Sequence, residues 1–167
     1  MRVLTISGSL QENSSNAALL RLAAEVTPDG MAVEAAPSIA TLPHFNPDVE
    51  STAPPPEVVA FRTQVGAADG VLIASPEYAF GVPGSLKNAL DWLVGSGDLY
   101  GKPVVVLSAA PSADRGANAR ADLERTLRGQ GADVRYSATI AVPKRDPDEA
   151  AIRAAVAAAL DVFRPDA

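Results

Sequence analysis

The sequence predicts an α/β fold in which a parallel β-sheet carries helices on both faces. Strand-like runs alternate with segments of helical period five times along 167 residues. The runs at 70–74 and 103–107 are apolar without alternation, the pattern of strands covered on both faces. With 47% hydrophobic and 20% charged residues, the chain can close one core, and 1–167 is read as a single domain.

Residues 2–7 are β-branched and apolar and end at Gly8, a first strand. A small polar loop covers 8–15, and Leu19, Leu20 and Ala23 mark a helix over 16–25. A modest second strand occupies 31–35. Residues 37–56 are proline-rich and read as the longest irregular segment. Pro56 opens a helix to about 67, since proline is well tolerated in a first helical turn. The strand 70–74 is followed by a loop over 75–84 and a helix over 85–94. The strand 103–107 is followed by a loop over 108–116 and a helix over 117–129. A last strand spans 134–142, and a last helix spans 148–163 with Ile152, Val156, Leu160 and Phe163 on one stripe.

Composition excludes several functions. There are no cysteines and one histidine, His44, so thiol chemistry and a multi-histidine metal centre are ruled out. His44 is read as facing solvent. Redox chemistry here would need an organic cofactor. The net charge is −6 and no basic stripe exists, which argues against nucleic acid as a partner. The opening apolar run is too short for a signal-peptide core, and no apolar stretch could span a bilayer, so the expected location is the cytoplasm.

In a doubly wound sheet the ligand lies beyond the carboxyl ends of the strands, at the point where strand order reverses. Three loops are therefore decisive. The first, Gly8 to Asn16, joins a strand to a helix N-terminus, where free N–H groups favour anions. Ser9, Ser14, Ser15 and Asn16 add neutral donors, as in a cradle for a phosphate monoester; an ordinary Ser- and Asn-rich N-cap reads equally well. It is neither a Walker motif nor a dinucleotide fingerprint. The second loop, Ser75 to Gly84, carries Tyr78 and Phe80 between prolines and glycines, a rigid aromatic loop suited to a flat ring. The competing reading is a tight crossover whose aromatics cap the sheet. The third, Ser108 to Gly116, is rich in small residues, and its Arg115 either meets a nucleotide phosphate or faces solvent.

In the helix after the second loop, Leu86, Leu90 and Leu93 face one way while Trp92 and Val94 widen the apolar surface. A helix apolar on more than one face is buried on more than one side, so a second subunit is expected against it. Lys87 and Asp91 stand one turn apart and read as an intrahelical pair.

Gly8-Ser9-Leu10-x-x-x-Ser14-x-Asn16, followed by Pro76-Glu77-Tyr78-x-x-x-x-Pro83-Gly84-x-Leu86-Lys87-Asn88-Ala89-Leu90-Asp91-Trp92, resembles the NADPH-dependent FMN reductase family of flavin, quinone, azo and chromate reductases. Leu42-Pro43-x-Phe45-Asn46-x-Asp48 and Gly101-Lys102-Pro103 extend the similarity over almost the whole chain. The resemblance implies a flavodoxin-like three-layer fold with five parallel strands in the order 2-1-3-4-5. It implies FMN bound with its phosphate on Ser9, Ser14 and Asn16, and Gln11 and Ser15 in the same loop. The flavin ring would lie against Pro76, Glu77 and Tyr78, bordered by Ala79, Phe80, Gly81, Ser108 and Ala109. NADPH or NADH would be the donor, a quinone, azo compound, free flavin or metal oxyanion the acceptor. A homodimer or homotetramer would form through helix 86–94. No catalytic side chain and no metal are expected. The chain departs from the family pattern at Gln11, where arginine is usual, at Ala79 and Phe80, and in a third loop with fewer glycines. Two other readings stay open: a flavodoxin-type electron carrier, and a module that has lost tight flavin binding.

Overall fold

A computed structural model describes residues 1–164. Five strands form one sheet: β1 (Arg2–Ser7), β2 (Ala32–Ala35), β3 (Gly70–Ala74), β4 (Pro103–Ala110) and β5 (Asp133–Ala141). Their spatial order is β2-β1-β3-β4-β5 and every pairing is parallel. The chain steps from β1 outward to β2, then returns to the other side of β1 for β3. Strand order thus reverses between β1 and β3, as the flavodoxin-like arrangement requires.

The period of two along the strands divides the core. Leu4, Ile6, Val71, Ile73, Val104 and Val106 face one side, under α3 (Pro56–Ala67), α4 (Gly84–Asp91) and α5 (Ala117–Gly129). Val3, Leu72, Ala74, Val105 and Leu107 face the other, under α1 (Ser15–Glu25) and α6 (Glu149–Asp161). Each large side chain buried this way contributes about 1.5–3 kcal/mol. The expected bounds of β1, α3, β3 and α5 coincide with those observed. Lys87 and Asp91 pair at 2.6 Å on α4, and His44 is exposed, both as expected.

Three expectations are corrected. The segment 37–56 is not wholly irregular: it contains a 3-10 turn (Ile39–Thr41) and α2 (Pro47–Thr52). Asn46 caps α2 by accepting from Asp48 N at 2.9 Å, and Pro47 sits in the first turn. The helix buries no residue, so it shows no apolar period to read. Next, β4 does not stop at Leu107. Ser108, Ala109 and Ala110 continue its ladder against Thr139, Ile140 and Ala141 of β5. These two cofactor candidates, Ser108 and Ala109, are therefore strand residues with fixed backbone, not loop residues.

The third correction concerns Trp92, which follows the last turn of α4 and is 0% exposed. Its indole Nε1 donates to Pro43 O at 2.8 Å, and Phe45 packs edge-on at 5.0 Å. Asn88 holds the same stretch, donating to Pro43 O at 2.9 Å and accepting from Phe45 N at 2.8 Å. The second apolar face of this segment is covered by the chain's own proline-rich stretch. Trp92 presents nothing to a second subunit, and an acid placed there would be buried without a partner.

Candidate functional site

β1, β3 and β4 end side by side, and the chain emerging from each is tied to its neighbour. Gly8 N donates to Ala74 O at 2.8 Å, and Ser75 N donates to Leu107 O at 2.9 Å. The crossing is close: a Cβ on Gly8 would lie 2.7 Å from Ser75 Oγ, so no larger residue fits. Above these ends lies a cleft of two compartments of about 550 and 540 Å³ that share Pro76, Ala109, Ala110 and Pro111.

The first compartment is lined by Ser9, Gln11, Asn13, Ser14, Ser15 and Asn16, together with Tyr78 and Lys144. Ser14 is the N-cap of α1, its Oγ accepting from Asn16 N at 3.1 Å. Ser9 Oγ accepts from Gln11 N at 3.2 Å. Both hydroxyl oxygens are thus fed by backbone N–H groups, and their protons remain available to donate. Asn16 is 3% exposed, and its Oδ1 accepts from Ala109 N at 2.8 Å. That bond orients the amide and leaves its NH2 as the donor. The result is a cluster of neutral donors at the positive end of an eleven-residue helix.

The second compartment is lined by Glu77, Phe80 and Ser108, with Asp114, Arg115, Gly116 and Asn118. Tyr78 and Gly81 exchange both backbone hydrogen bonds, at 3.1 and 3.0 Å, closing a tight turn over Ala79 and Phe80. Ala79 and Phe80 both hold positive φ, 49° and 63°. Non-glycine residues in that region are strained by about 1–3 kcal/mol each, a cost that tends to persist at functional sites. The turn holds Phe80 77% exposed on the rim. Ala79 and Gly81 build this turn and line neither compartment.

Several features were not visible in the sequence. Glu77 Oε2 accepts from Ala119 N at 3.0 Å, so the second loop caps α5. Gly116, the N-cap of α5, has φ +80° and offers no capping side chain. Ser108 Oγ is buried and has no hydrogen-bond partner. A Cβ on Gly116 would meet it at 2.8 Å. The carboxyl of Asp114 is held below its usual range, first by a hydrogen bond from Ser112, then by its own backbone amide. Lys144 reaches the first compartment from beyond β5, where no motif singled it out.

Among the described residues no group of three or more His, Cys, Asp or Glu could hold a metal ion, and no helix is long and apolar enough to cross a membrane. The cleft thus sets neutral hydrogen-bond donors at a helix N-terminus beside a second compartment that carries Glu77, Asp114 and Arg115.

Both the sequence and the fold have counterparts among known proteins. The family model for NADPH-dependent FMN reductase matches residues 1–146. An NAD(P)H-dependent FMN reductase of Pseudomonas aeruginosa is 41% identical over 129 residues, covering 76% of this chain and 69% of the relative. A quinone reductase of Escherichia coli is 39% identical over 130 residues, with coverage of 76% and 69%. Among solved structures, the flavoenzyme NAD(P)H:(acceptor) oxidoreductase FerB of Paracoccus denitrificans superposes with a TM-score of 0.79 at 25% identity, covering 97% of this chain and 96% of that one. By fold, cleft and sequence together, this chain belongs to the NADPH-dependent FMN reductase family.

Proposed function

We propose that this protein is an NAD(P)H-dependent FMN and quinone reductase, holding FMN across the two compartments and passing electrons from a nicotinamide nucleotide to a small acceptor. One observation carries the reading: two adjoining compartments share one wall, the first lined by neutral donors at a helix N-terminus and the second by Glu77, Phe80 and Ser108. FMN has that same division, a phosphate at one end and a flat ring at the other.

The residues present fit the group. The uncommitted hydroxyl protons of Ser9 and Ser14 and the amide of Asn16 suit a phosphate. Ser108 Oγ, an orphan inside the chain, suits a polar edge of the ring system. When bound, FMN supplies the hydride-accepting and electron-donating chemistry that no side chain of this protein offers. The protein's part is placement. Pro76, Ala109 and Ala110 form a wall with little side-chain bulk, so backbone can approach a ring face. The bonds to Ala109 N and Ala119 N lock that wall and loop 75–84 in place before any ligand arrives. Phe80, exposed on the rim, is an apolar side chain available to cover a bound ring.

Quinones are the acceptor class favoured by the relatives; azo compounds, free flavin and metal oxyanions remain within the cleft's chemistry. The donor is NADPH or NADH, and Arg115, which lines the second compartment, is a cation available to a nucleotide phosphate. The proposal includes a homodimer or homotetramer. With Trp92 internal, exposed Val94 and Tyr100 are what the end of α4 offers a second copy, and sizing chromatography tests this.

The deciding experiment mixes FMN-loaded protein with NADPH, then NADH, in anaerobic stopped-flow absorbance. Rapid bleaching of the flavin band by either nucleotide is expected. Bound flavin that neither nucleotide bleaches would make the protein an electron carrier instead.

A further inference from the structure

We propose that Lys144 is the counter-charge for the phosphate of the bound flavin nucleotide, completing a site otherwise built of neutral donors. The inference rests on the FMN reading above and assigns the residue that makes the site prefer the phosphorylated flavin.

The two compartments differ in charge. In the first, Lys144 is the one charged side chain among the described residues, and none of their carboxylates lines it. In the second, Glu77 and Asp114 stand with Arg115. Asp114 is held ionised by Ser112 and its own backbone amide, and Arg115 already has that acid beside it. A phosphate monoester carries about −1.5 to −2 charge at neutral pH. Next to those carboxylates it would be repelled; next to Lys144 it would be attracted. The chain as a whole carries −6, so a dianion needs a local cation to offset the general field.

The placement of Lys144 is built into the sheet. Because β4 runs on to Ala110, the β4–β5 ladder continues one step further, with Val142 N donating to Ala110 O at 2.7 Å. Ala110 is itself part of the wall shared by both compartments. Lys144 follows two residues later, and the chain then turns away through Asp146 at φ +55°. A lysine is a flexible point charge, which suits an anion whose hydrogen bonds are already provided by Ser9, Ser14 and Asn16.

The test measures equilibrium binding of FMN and of riboflavin, which lacks the phosphate, to the apo-protein by fluorescence quenching, in wild type, Lys144→Gln and Lys144→Arg. Lys144→Gln is expected to weaken FMN about five- to tenfold and riboflavin less than about twofold. Lys144→Arg is expected to restore most of the FMN affinity. Added salt should weaken FMN binding in wild type and have less effect in Lys144→Gln. Equal FMN affinity in wild type and Lys144→Gln would overturn the assignment. So would an equal loss for both flavins, which would mean that Lys144 shapes the cleft instead of meeting the phosphate. A wild-type protein that binds no FMN would bring down the cofactor reading itself, and this inference with it.

Discussion

Two helices aim their N-termini at the same cleft, and they end differently. α1 is capped from its own sequence: Ser14 Oγ accepts from Asn16 N, which leaves its hydroxyl proton free to donate. α5 begins at Gly116, which has no side chain to offer, and Glu77 reaches across from the second loop to accept from Ala119 N. The first arrangement leaves a positive helix end facing the cleft. In the second, a carboxylate of the protein already occupies that end. The difference teaches how the cleft assigns roles to its two halves. Where the protein supplies its own anion, a loop is latched; where it supplies neutral donors, an outside anion is invited.

The largest effect should come from breaking the α5 end at its start. Gly116→Val must adopt φ +80° and press against Ser108 Oγ, so unfolding free energy should fall by about 3 kcal/mol in urea titration. At the α1 end, Ser9→Ala with Ser14→Ala removes two hydrogen bonds to a charged group, about 1.5–3 kcal/mol each. FMN affinity should fall about a hundredfold or more by fluorescence titration. An unchanged dissociation constant would place the phosphate elsewhere. Glu77→Ala uncaps α5 and should cost about 1–2 kcal/mol of stability. Inorganic phosphate should then raise the melting temperature of that variant more than that of wild type, because it can take the vacated position. Equal phosphate response would dissolve the contrast between the two ends. The smallest effect is a gain: Ala79→Gly relieves positive φ in the second loop and should stabilise by under about 1 kcal/mol in the same titration.

Much of the fold was legible because its signals are local. Pro56, Gly70 and the small turn residues bracket α3 and β3, and the uninterrupted apolar runs of β3 and β4 mark buried strands. That the first-loop residues would come together was equally legible, since Ser9, Ser14, Ser15 and Asn16 lie on one strand-to-helix turn and line one compartment. What escaped reading depends on partners far along the chain. Trp92 looked like an interface residue because its cover, Pro43, lies 49 positions away. Glu77 is a cap for a helix 42 positions later. Ser108 to Ala110 resemble loop because small residues have weak strand preference; pairing with β5 extends the strand regardless. Lys144 belongs to no pattern at all and becomes meaningful only once β5 delivers it to the rim.

The bond between Ala109 N and Asn16 Oδ1 joins residues 93 positions apart. A closure that long is entropically costly and comes after the local pairings, so the wall between the compartments belongs to the late steps of folding. The Ala109 amide is thus a one-atom gauge of the cleft. Its hydrogen exchange should slow when FMN is bound, while the neighbouring amides of β4 that pair only within the sheet keep their rates.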